Sequence, residues 1–130
     1  MAAISNLQQL LQQMQPVLQP GNFVFVTLQQ PEAQLFNAAV GIFKEVEGTT
    51  LILEQSVADT NGLKYDYIAA WITLTVHSSL AAVGLTAAVA NALAGGGISC
   101  NVVAAYYHDH LFVPATDAEK ALNVLKALAK

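Results

Sequence analysis

The sequence predicts an α+β fold, a β-α-β-β-α-β sandwich of the ferredoxin-like type. Three observations carry the prediction. The second half of the chain reads strand, helix, strand, strand, helix, which is that pattern with its last strand missing. Its first helix is rich in alanine, and small side chains let a helix press closely on a sheet. The first half contains further strands that can complete the sheet, Phe23–Leu28 (FVFVTL) or Leu51–Leu53 among them.

The elements follow from the N-terminus. In residues 1–20, Leu7, Leu10, Leu11 and Met14 recur at helical spacing among six glutamines, with Ser5 or Asn6 as N-cap. Pro16 and Pro20 stop this amphipathic helix. Phe23–Leu28 follows Pro20-Gly21 and is aromatic and β-branched, hence a strand. Residues 39–45 and 49–54 read as a hairpin around Gly48, and Asp59, Asn61 and Gly62 signal a loop. Residues 68–76 (IAAWITLTV) form a strand. Residues 83–94 form the alanine-rich helix, with Val83, Leu85, Val89 and Leu93 as its larger apolar side chains and Gly95 to Gly97 ending it. Residues 98–106 (ISCNVVAAY) and 110–113 are strands joined by a tight turn near His108-Asp109. Asp117 or Thr116 caps a last helix through Leu128, with Lys126 and Lys130 at the end that the helix dipole makes negative. The chain thus divides into an N-terminal extension (1–20), a degenerate first half (21–66) and a second half (67–130), the two halves interleaved through a shared sheet.

Composition narrows the function. The 130 residues carry five Lys, nine Asp or Glu and no Arg, a net charge of −4, and 55% are hydrophobic. Without a basic patch there is nothing to neutralise phosphates, so no nucleic-acid partner is expected. Residues 1–31 and 67–108 contain no charged side chain at all. A chain this size buries only about two-thirds of its unfolded surface alone, so a self-associating face, a ligand cavity or both are expected. Residues 80–98 are long enough to span a bilayer, but Asn91 interrupts them, three glycines end them and no Lys or Arg flanks them closely. The segment reads as a buried helix, with no membrane partner. One cysteine, Cys100, permits no internal disulfide, and the glutamine-broken start lacks the features of a secretory signal; a cytoplasmic location is the default.

Several residues could carry chemistry. The loop from His77 to Gly84 leads from a strand end into a helix start, where unpaired amides and the dipole can hold a carboxylate. Ser78 and Ser79 add hydroxyls there, and Gly84 permits close approach to the backbone. The competing reading is that Ser79 caps the helix and Gly84 serves packing. Asn101 can donate and accept at once, which suits paired carboxylate and ammonium groups, or it faces water from an edge. Cys100 reads as a small buried hydrophobe. His77, His108 and His110 could offer three imidazoles to a metal, or act as acid and base, only if all three converge. A turn accounts for Asp109. Tyr106 and Tyr107 face opposite sides of a strand, one of them towards the core or an interface, and Trp71 belongs to the core. Tyr65 and Tyr67 border a cleft.

The run Val83-Gly84-Leu85-Thr86-Ala87-Ala88-Val89-Ala90, then Leu93, then Gly97-Ile98-Ser99, resembles the ACT-domain signature. The longer string from Ala70 to Pro114 (AWITLTVHSSLAAVGLTAAVANAL…GGGISCNVVAAYYHDHLFVP) is similar to small stand-alone ACT-like proteins. The likeness implies two ACT-like halves, a non-enzymatic regulatory role without cofactor, side-by-side pairing as a homodimer, and a small ligand such as an amino acid. It places that ligand between His77, Ser78, Ser79, Val83, Gly84 and Leu85 on one side and Ile98, Ser99 and Asn101 on the other. Val83 stands where the signature has proline, and His77-Ser78-Ser79 where it often has an acidic residue. The alternatives are a small metal-dependent or acid/base enzyme using His77, His108 and His110, and a module that only dimerises.

Overall fold

The computed structural model describes residues 6–129. Its elements are, in order, α1 (Leu7–Gln13), β1 (Pro16–Leu18), β2 (Phe23–Leu28), α2 (Ala33–Ala38), β3 (Gly41–Lys44), β4 (Thr49–Glu54), α3 (Gln55–Thr60), β5 (Ile68–Leu74), α4 (Leu85–Gly95), β6 (Asn101–Ala104), β7 (Asp109–Pro114) and α5 (Ala118–Leu128). The fold is α+β and ferredoxin-like. The chain forms two compact units: residues 6–20 with 70–129, and Gly21–Ala69.

The central unit, Gly21–Ala69, has the complete β-α-β-β-α-β order. β4 lies between β3 and β2, paired antiparallel with both, and Phe23 and Val24 of β2 pair with Ala69 and Ile68 of β5. The first half is therefore not degenerate. Two six-residue helices, α2 and α3, stand where the sequence reading had no helix, because so short a segment shows barely one apolar turn. Each buries one side chain, Leu35 or Ala58, against Val24, Val26, Leu51 and Leu53. Asp59 lies in the last turn of α3, Asn61 is its C-cap, and Gly62 turns the chain at φ +64°.

The other unit is built from both ends of the chain. Ile72, Thr73 and Leu74 of β5 pair with Leu18, Val17 and Pro16. β1 thus joins this sheet beside Ile72–Leu74, while Phe23 and Val24 pair with the start of β5, as expected of Phe23–Leu28; Leu51–Leu53 pairs with β2 instead. Proline is tolerated at the start of an edge strand, where its missing N–H costs nothing. The N-terminal helix consequently ends at Gln13. Its Leu10 and Met14 are buried with Ile72, Leu74, Leu85, Val89, Leu93, Leu111, Val113, Leu122 and Leu125. Asn6 is its N-cap, accepting from the Gln9 N–H; Ser5 lies outside the described residues.

Other boundaries shift for local reasons. α4 starts at Leu85, not Val83, because Gly84 takes a left-handed φ of 103°, and Val83 is left largely exposed. The helix ends in a Schellman motif: the Ile98 N–H reaches the Leu93 carbonyl at 2.9 Å, the Gly97 N–H reaches Ala94 at 2.9 Å, and Gly97 has φ +75°. That geometry consumes Ile98, so β6 starts only at Asn101. β6 and β7 meet in a turn over residues 105–108, in which the Ala105 N–H reaches the His108 carbonyl. Tyr106 and Tyr107 sit in this turn, both exposed, rather than on opposite faces of a strand. Among the described residues no helix is long and apolar enough to cross a membrane.

Candidate functional site

Alternation along β5 and β7 sorts the side chains of the discontinuous unit. Ala70, Ile72, Leu74, Leu111 and Val113 face the helices. By the same period of two, Asp109 faces the helices, while Trp71, Thr73, His110 and Phe112 face the opposite side.

On the helix side, the chain between β5 and α4 frames a pocket of about 120 Å³. It is lined by Ser78, Ser79, Leu80, Ala82, Gly84, Leu85, Thr86, Ala104 and Asp109. Ser79 does not cap α4. Its hydroxyl oxygen accepts from the Ala81 N–H at 3.1 Å, and its carbonyl accepts from Ala82, which tightens the preceding turn. The N-cap of α4 is Gly84, without any side-chain cap. The first-turn amides therefore keep their hydrogen-bonding capacity at the pocket wall. Leu7 of α1 packs over Gly84, since a Cβ there would lie 3.0 Å from Leu7 Cδ2.

The structure brings together four of the expected ligand residues, Ser78, Ser79, Gly84 and Leu85. Val83 points to solvent, and His77 packs on Tyr107 and Tyr106 at ring-centroid distances of 5.2 and 6.3 Å. Ile98, Ser99 and Asn101 lie beyond the other end of α4, a helix of 11 residues and hence ~16 Å long. Ile98 is core, and Asn101 is an exposed edge residue opposite Phe112. Asp109, a turn residue by sequence, is in the structure the first residue of β7 and only 7% exposed. The spacing Asp109, Leu111, Val113 was the available signal: it puts a carboxyl on an apolar face. Burial pushes this carboxyl above the usual carboxylate range, against the opposing pull of His110 and His108.

The three histidines have separate settings. His108 Nδ1 donates to the Val76 carbonyl at 3.4 Å. On the face away from the helices, His110 Nδ1 accepts from Trp71 Nε1 at 3.0 Å and from the Thr73 hydroxyl at 3.1 Å, and Gln19 Nε2 donates to Thr73 Oγ1. Trp71 also stacks on Phe112. Burial first, then the His108 charge, lowers the His110 pKa; two donors on one ring nitrogen agree with a neutral ring. Among the described residues no group of three His, Cys, Asp or Glu could hold a metal. Cys100 packs at the edge of the core, and burial raises its thiol pKa.

The central unit has a larger, open cleft of about 640 Å³, lined by residues of β2 and by residues 62–66. Tyr65 stands in its wall, its hydroxyl donating to Asp59 Oδ1 at 2.7 Å and accepting from Gln55 Nε2.

Comparison with known proteins decides the family. One ACT-domain model matches residues 2–70 and a second matches residues 67–127. The chain belongs to the ACT-domain family. The two ACT matches overlap at residues 67–70, where β5 leaves one unit and enters the other. The chain is also similar to a Vibrio cholerae protein of unknown function described as a possible transport protein. Identity is 46% over 95% of this chain and 96% of that one, with a TM-score of 0.85. The regulatory subunit of aspartate kinase from Thermus flavus shares the fold at 14% identity, covering 89% and 97% of the two chains, with a TM-score of 0.63. Agrobacterium tumefaciens protein Atu0741 does so at 20% identity, 89% of each chain and a TM-score of 0.66. No curated protein matches. ACT domains are regulatory modules that typically bind small ligands such as amino acids, and this ACT protein carries two.

Proposed function

We propose that this ACT protein is a non-enzymatic cytoplasmic sensor that binds an amino acid in the pocket at the start of α4. The observation that carries the reading is the convergence of Ser78, Ser79 and the uncapped first turn of an 11-residue helix on one cavity. Amides at a helix N-terminus favour a carboxylate, and a chain without arginine has few other ways to hold one. Binding would order the turn over residues 78–84 and shift an assembly or partner equilibrium. The proposed assembly is a homodimer: β3 is an edge strand whose Ile42 and Phe43 are exposed, as is Val46 beyond it. A partner strand on that edge would cover them.

A melting-temperature screen against the common amino acids tests the binding. A ligand held at 100 times its Kd adds about 2.7 kcal/mol to the folded state, a shift of several degrees. No shift with any amino acid at millimolar concentration would overturn the reading. Sedimentation equilibrium tests the dimer, and monomer at tens of micromolar would remove it.

A further inference from the structure

The pocket contains a group that carboxylate recognition does not use. Asp109 is 93% buried by its fractional exposure of 7%, and it lines the cavity with Ser78, Ser79 and the first turn of α4. The charges that act on its carboxylate are those of His110 and His108, on its own strand and turn. A carboxylate so largely removed from water is costly, and its natural complement in the pocket is a cation small enough to enter. No Lys side chain lines the pocket, and the chain has no Arg. The same cavity is lined by hydrogen-bond donors, the α4 amides and the Ser79 hydroxyl, whose oxygen already accepts from Ala81 and whose proton is left to give. The lining therefore offers one group for a positive charge and several for a negative one.

We infer that Asp109 binds the ammonium of the ligand and that the pocket selects the smallest α-amino acids, glycine and alanine. This rests on the amino-acid reading of the same pocket. It adds which residue holds which end and which side chains are refused. The volume sets the size limit. A cavity of about 150 Å³ takes benzene, with its six heavy atoms, and this one measures about 120 Å³. A zwitterion of five or six heavy atoms matches it, and a branched or aromatic side chain would exceed that volume. Burial raises the pKa of the Asp109 carboxyl against the pull of His110 and His108, which agrees with a carboxylate largely removed from water.

Isothermal titration calorimetry on the full chain near pH 7 tests the inference, with glycine, alanine, leucine, acetate and methylamine as probes. Glycine and alanine are expected to bind, and the other three to bind at least tenfold more weakly. Asp109→Asn keeps the shape and removes the charge. It is expected to weaken glycine binding at least tenfold while raising the melting temperature of the ligand-free protein, because a largely buried charge is gone. Acetate binding as tightly as glycine would overturn the ammonium assignment, and so would full glycine affinity in Asp109→Asn. Leucine binding as tightly as glycine would overturn the size limit. These results leave amino-acid binding itself standing, whereas no binding by any amino acid removes both readings. The wild-type ligand series alone decides the matter if the variant does not fold.

Discussion

Gly84→Ala separates a conformational requirement from a packing one at the mouth of the pocket. Gly84 has φ +103°, and a residue with a Cβ held in such a region costs about 1–3 kcal/mol. Alanine regains ~0.4–1 kcal/mol by restricting the unfolded chain. The added methyl would meet Leu7 Cδ2 at 3.0 Å, the far end of a partly exposed, flexible side chain that can move aside at little cost. The balance is a loss of roughly 0.5–2 kcal/mol, which for a chain of this length is a drop of about 2–8 °C in Tm. Gly95→Ala supplies the opposite sign. Gly95 is the last residue of α4, has no positive φ, and a Cβ there would meet nothing within 4 Å. Alanine should gain about 0.5–1 kcal/mol at such a helical position. Gly62→Ala is the third arm, with φ +64° and open space, so it carries the backbone penalty alone. Urea denaturation of the three variants with a common m-value provides the test. A Gly84→Ala protein as stable as the wild type would refute the claim that the left-handed N-cap sets where α4 begins.

Other perturbations probe different layers. Leu10→Ala, at a fully buried site between α1 and the rest of its core, should cost ~2–5 kcal/mol in urea denaturation; a loss under 1 kcal/mol would mean that α1 is only an appendage. His110 gives a pH signature. Its folded pKa is lowered below the ordinary value of about 6.5, so its contribution is present above that pH and is lost as pH falls through the folded pKa. Stability should decline from pH 6.5 downwards, and His110→Gln should flatten that decline. Asp109 works in the opposite sense: its raised pKa means that its cost grows as pH climbs above the ordinary carboxylate value near 3.9, a more acidic window than that of His110.

Residues that act through long periodic segments were legible in the sequence. The β5-α4-β6-β7-α5 order, the Leu85, Val89, Leu93 stripe and the glycine stop of α4 follow from spacing and turn chemistry alone. The elements that sequence missed are short. β1 is three residues opened by a proline, and α2 and α3 are six residues each, below the length at which periodicity can be read. The pocket was half legible. Ser78, Ser79, Gly84 and Leu85 are contiguous in sequence and could be read as a loop before a helix. Asp109 reaches them only because β7 returns alongside β6 after the turn, with Ala104 opposite Asp109 in the ladder. Ile98, Ser99 and Asn101 share the family signature with Gly84, but a helix of 11 residues stands between them. Signature proximity is not spatial proximity when a helix intervenes.

The discontinuity of one unit has a kinetic consequence. β1 must pair with β5 across about fifty intervening residues, and closing a free loop of that length costs ~3.5 kcal/mol by the (3/2)RT ln n relation. The central unit, Gly21–Ala69, is continuous, and its two ends meet in register, Phe23 opposite Ala69. Once it has folded, the ends of the intervening chain are already neighbours, and the β1–β5 pairing becomes nearly local. The central unit should therefore gain amide protection first in pulsed hydrogen exchange, with β1 and Ile72–Leu74 following. Leu53→Ala, in the core of the central unit, should slow the closure of β1 on β5 although Leu53 belongs to neither strand. Leu125→Ala, in the other core, should leave early protection of β2 and β4 unchanged. If β1 and β5 were protected before β2 and β4, or if Leu53→Ala left the β1–β5 rate untouched, the discontinuous unit would be nucleating by itself. The closure entropy would then have to be met by its own core of Leu10, Ile72 and Leu125 rather than by the domain folded between its strands.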